Sequence, residues 1–112
     1  MSKSMQLKVT VIPFYQNGFA ETYPNLARQL KYLNPDLVER NPSLYDLAAQ
    51  LDKLLYTFDG TPLREVLLRH RRDILNLQKS IEENIATWNL SQADRLLYAL
   101  EDVFEKIEFE LS

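Results

Sequence analysis

From Leu63 onward the apolar residues follow one stripe: Leu63, Leu67, Ile74, Leu77, Ile81, Ile85 and Trp88, with His70 its one polar member. Steps of three and four residues are the spacing of a single helix face. Val66, Leu68 and Leu75 widen the stripe, which suits a globular bundle better than a two-stranded coil. Arg64, Arg71, Arg72, Gln78, Lys79, Glu82 and Glu83 fall on the opposite face. Thr61-Pro62 supplies a good N-cap followed by a first-turn proline, and no Gly or Pro interrupts 63–88. The pattern predicts one long helix over 61–88.

A second stripe follows: Ala93, Leu97, Leu100, Phe104, Ile107 and Leu111, widened by Leu96 and Val103. Ser91 with Asp94 three residues on reads as a capping box. Two long amphipathic helices joined through Asn89-Leu90-Ser91 predict an antiparallel hairpin. Its register places Arg69–Arg72 across from residues 107–110. The basic run Arg69-His70-Arg71-Arg72 should then face the acidic end that holds Glu101, Asp102, Glu105, Glu108 and Glu110. Such surface ion pairs contribute at most ~1 kcal/mol each.

The first half of the chain is more broken. Leu7, Val9 and Val11 alternate with Gln6, Lys8 and Thr10, so 6–13 reads as strand-like. Pro13 and Asn17-Gly18 end that piece. A lone strand must pair with another chain or lie extended over the bundle. Thr22 or Tyr23 with Pro24 opens a short helix bearing Leu26, Ala27, Leu30 and Leu33, and Asn34-Pro35 stops it. Asn34-Pro35-Asp36-Leu37 and Asn41-Pro42-Ser43-Leu44 are alike, each offering an Asn cap and a first-turn proline. The first predicts a turn or two. The second predicts a helix over 42–59 with Leu44, Leu47, Ala48, Leu51, Leu54, Leu55 and Phe58 on one face. The expected fold is therefore mostly α. It is a small helical bundle built on a long antiparallel hairpin, with an extended N-terminal arm over 1–20 and one helical domain over 21–112.

Composition sharpens this picture in a few places. A length of 112 residues suits one domain with one core. Only two glycines argue against a turn-rich β fold. The absence of cysteine excludes disulfides, thiolate chemistry and the usual zinc sites. The net charge is −3, and it is uneven. Residues 1–60 carry six basic and six acidic side chains, whereas 61–112 carry seven and ten. A net negative chain does not attract nucleic acid or anionic membrane as a whole. The start Met1-Ser2-Lys3-Ser4-Met5 has no apolar run behind it, and no apolar run is long enough to span a bilayer. A cytoplasmic protein without a membrane partner is expected.

Catalytic and cofactor motifs are missing. Two glycines build no phosphate loop, and one histidine supports neither a metal box nor a di-iron bundle. No cofactor and no metal are expected. Glu82, Glu83, Glu101, Asp102, Glu105 and Glu108 resemble, in type, the Mg²⁺-holding carboxylates on facing helices of the all-α nucleotide pyrophosphatases. That family's Glu-x-x-Glu and Glu-x-x-Asp motifs are not both present. The register also sets Glu82 and Glu83 a turn or more from Glu101. Arg69, Arg71 and Arg72 form a basic patch that could touch phosphates, but Glu65 and Asp73 flank it. His70 reads as a core-edge residue with one ring nitrogen hydrogen-bonded, or as a pH-sensitive or register-setting polar residue in the seam.

Phe14, Tyr15, Phe19, Tyr32, Tyr45 and Tyr56 remain as interface candidates, because Tyr offers large contact area with a polar tip. The hairpin is generically similar to those of small export chaperones and bundle adaptors. The leading expectation is a non-enzymatic protein–protein interaction module acting as an adaptor, chaperone or regulator, with itself as a homodimer or another protein as partner. A nucleic-acid-associated regulator and a Mg²⁺-dependent nucleotide hydrolase are the alternatives.

Overall fold

The computed structural model describes residues 8–112, and the protein is mostly α. Among the described residues seven helices follow in order: α1 (Phe19–Thr22), α2 (Pro24–Leu33), α3 (Pro35–Glu39), α4 (Leu44–Ala49), α5 (Leu51–Thr57), α6 (Pro62–Ala86) and α7 (Leu90–Glu110). The most extensive packing is between α6 and α7, which form the expected antiparallel hairpin. At 1.5 Å per residue α6 alone runs about 37 Å. It sets the long axis of a molecule 49 × 26 × 25 Å in extent.

The core is thickest at the open end of the hairpin. Leu63, Leu67 and Ile74 of α6 and Leu100, Phe104 and Ile107 of α7 are buried there. α2, α4 and α5 pack onto this face. Toward the hairpin turn the cover thins, and Leu77, Ile85, Leu96 and Leu97 are only partly buried. Residues 8–16 continue the alternation: Val9, Val11, Pro13 and Tyr15 are half-buried, while Lys8, Thr10, Ile12 and Phe14 are exposed. The arm thus lies extended over the bundle, with no strand partner among the described residues. Gln6 and Leu7 of the expected strand lie outside the described residues. The extended stretch ends before the expected boundary at 20, because a turn at 16–17 leads into α1.

Helix boundaries follow local chemistry. Thr61 caps α6, its hydroxyl accepting from Arg64 N at 3.3 Å. Asn34 caps α3 by accepting from Leu37 N. The second Asn-Pro departs from expectation. Ser43 caps α4 in a capping box with Asp46. Asn41 instead takes a left-handed φ of 49°, and its Oδ1 accepts from Phe19 N at 3.0 Å. The single helix expected over 42–59 is two, broken at Gln50. The break lets α4 reach both α6 and α7 while α5 follows α6.

The hairpin turn also differs. α6 ends in a Schellman motif, with Trp88 N bonded to Ile85 O and Asn89 N to Asn84 O. Trp88 holds the left-handed position at φ 59° that glycine usually fills. α7 then starts at Leu90 behind Asn89, and no Ser91–Asp94 capping box forms.

The N-terminus of α2 receives its cap from the far end of the chain. Tyr23 sits at the cap position without a side-chain bond. The Glu108 carboxylate accepts from Asn25 N and from Leu26 N, each at 2.9 Å. A carboxylate on two free backbone donors at a helix N-terminus is favoured by both hydrogen bonding and the helix dipole. Glu108→Ala is expected to lower stability by about 1.5–3 kcal/mol in urea unfolding. A change below ~0.5 kcal/mol would show that water replaces this cap without cost.

Candidate interaction groove

One stripe of α7 lies beside its buried seam. Asp94, Tyr98, Glu101 and Glu105 recur at helical spacing and share a face. Opposite them stand Tyr23 at the start of α2, Tyr45 in the first turn of α4, and arm residues 11–15. Between these walls lies a groove of about 430 Å³. Tyr15 anchors the arm end, donating its hydroxyl to Pro42 O at 2.7 Å. Its ring meets Phe19 edge-on at 5.8 Å and Tyr23 at 6.3 Å. Such contacts add a modest stabilisation to the area buried.

The groove has one sign of charge. Asp94, Glu101 and Glu105 line it, and no Lys, Arg or His does among the described residues. Glu101 is held above the usual carboxylate range, first by burial, then by Glu105, Asp102 and Asp94. Burial, and then Glu101, Glu105 and Glu108, push the Tyr23 phenol up to about 12. Tyr15 is raised by burial, then by Tyr23, Asp46 and Glu101. Tyr45 is raised by burial and Glu82, against a lowering hydrogen bond from Gln78. The phenols therefore stay neutral at physiological pH; Tyr23 is buried behind the groove wall, while Tyr45 is half-buried on it. Such a lining attracts cations and disfavours anions.

The sequence candidates scatter over this framework. Phe14, Tyr15 and Tyr45 line the groove. Phe19 does not: it is fully buried in the core between Tyr15 and Tyr23, so it offers no interface. Tyr32 lines a separate depression on α2 with Arg28 and Lys31. Tyr56 is exposed on α5 and lines neither hollow. The basic run is divided rather than facing the acidic helix end as a block. His70 Nε2 lies 2.8 Å from Glu110 Oε2, with Arg69 3.8 Å from the same oxygen. Arg71 turns away to Asp52 of α5 at 3.2 Å. Arg72 makes no ion pair among the described residues. The acidic residues do not converge into a metal set either: no three His, Cys, Asp or Glu side chains are placed to hold an ion among the described residues. No buried side-chain nitrogen or oxygen lacks a partner there.

Tyr98, 62 % exposed, and Ile12, 78 % exposed, are groove residues that sequence reasoning passed over. Tyr98 carried a usable signal, since it stands one position off the Leu97–Leu100 seam, as Tyr32 and Tyr56 stand off theirs. Ile12 carried one as the apolar residue on the polar side of the arm's alternation. No helix among the described residues is long and apolar enough to cross a membrane. The chain matches no protein-family model, no curated protein and no solved structure.

Proposed function

We propose that the chain is a non-enzymatic protein–protein interaction module, a small cytoplasmic adaptor, chaperone or regulator, that receives its partner in the groove between the arm and α7. The supporting observation is the outward side of the arm. Ile12, Phe14 and Tyr98 are all exposed along one groove. Contiguous exposed apolar surface with a polar rim is characteristic of association sites. Self-association as a homodimer is a narrower form of the same reading, in which the partner is a second copy.

A photo-crosslinking phenylalanine analogue at position 98 tests this in cells, with the same analogue at exposed position 56 as control. Discrete heavier adducts from position 98 alone are expected. Their mass separates a second copy from a different protein. Absence of adducts, or the same ladder from both positions, would refute the groove as the docking site.

A further inference from the structure

We propose that the groove binds an extended basic segment of a partner protein, with a Lys or Arg side chain seated at Glu101 between the tyrosine rings. This rests on the interaction reading above and names the partner's chemistry. Three features carry it.

The first is uncompensated charge. Among the described residues only Asp52, Asp59 and Glu110 have an arginine within ion-pair distance, and none of the three lines the groove. Asp94, Glu101 and Glu105 have none within ion-pair distance among the described residues, although they share one helix face. An incoming cation relieves their mutual repulsion. The second is the wall. Tyr45, half-buried, and Tyr98, exposed, bring aromatic rings into the same groove as those carboxylates, and a ring face with a carboxylate is the pairing that holds an ammonium or guanidinium group. The third is length. Asp94 to Glu105 spans about 16 Å of helix, which matches about five residues of extended chain. A lone amine would use one point of that line and leave Ile12 and Phe14 uncovered. The sign of the charge disfavours a phosphate-bearing partner.

The test uses the whole chain and a fluorescein-labelled heptapeptide alternating arginine and leucine, followed by fluorescence anisotropy at physiological salt. Saturable binding is expected, weakened about tenfold by the double substitution Glu101→Gln with Glu105→Gln. Tyr98→Ala, at an exposed position, is expected to weaken it about threefold. Asp36→Asn with Glu39→Gln removes the same charge from α3, which contributes nothing to the groove, and should leave affinity within about twofold. Circular dichroism confirms that each variant is folded.

Equal weakening by the α3 pair would overturn the proposal, because only net charge would then be recognised. Absence of saturable binding would overturn it too. If position 98 still crosslinked in cells, the interaction reading would survive with a partner of other chemistry. Competition by spermine at equal affinity, with Phe14→Ser leaving peptide affinity unchanged, would overturn the peptide in favour of a small polyamine.

Discussion

Phe19→Ala is expected to lower the folding free energy by about 3–5 kcal/mol, measured by urea unfolding with far-ultraviolet circular dichroism. A domain of this size holds only ~5–15 kcal/mol in total. The residue is fully buried, and its ring contacts Tyr15 and Tyr23, each at a centroid separation of 5.8 Å. Its amide is held by Asn41. Truncation empties the place where the arm, α1 and α2 meet, so the groove wall should loosen with the core. A cost below ~1 kcal/mol would mean that this junction is not docked as described, since truncation of a packed Phe costs several times more.

Leu100→Ala is the second large effect, at about 2–5 kcal/mol. Leu100 has no exposed surface and forms part of the groove floor from beneath. Leu77, on the same hairpin but in its thinner half, is only partly buried. Leu77→Ala should therefore cost less than Leu100→Ala, because less surface leaves water on folding. Equal costs would show that the core extends evenly along the hairpin, against the observed taper.

The hairpin was legible because seam spacing depends on neighbours in sequence, and Leu63–Ile81 and Ala93–Leu111 keep that spacing without interruption. Its register was legible too, as the His70–Glu110 contact shows. Apart from the local caps at Ser43 and Asn89, what failed depended on residues distant in sequence. Glu108 caps α2 across 83 positions. Asn41 left its own helix to hold the Phe19 amide, a contact 22 positions away. The break at Gln50 carries no Gly or Pro, since the two segments are bent by what they pack on. The same limit separates the interface candidates. Phe19 and Phe14 look alike in a string of aromatics, yet one is fully buried and the other 96 % exposed. The arm's period of two distinguishes them only once the turn at 16–17 ends it. Tyr23 met Glu101 through tertiary packing alone, so the acidic aromatic lining of the groove had no signature along the chain.

The docked arm is the feature on which the groove depends, and the absence of cysteine makes it directly measurable. A nitroxide attached through Phe14→Cys, at an exposed site, should broaden the amide resonances of Leu97 to Glu101, since Phe14 and this part of α7 line the same hollow. Amides of α3 should be far less affected. Selective loss of intensity over 97–101, restored on reduction of the label, is the expected result. Uniform intensities along α7 would contradict the account, because an arm that does not lie against α7 leaves no groove to fill.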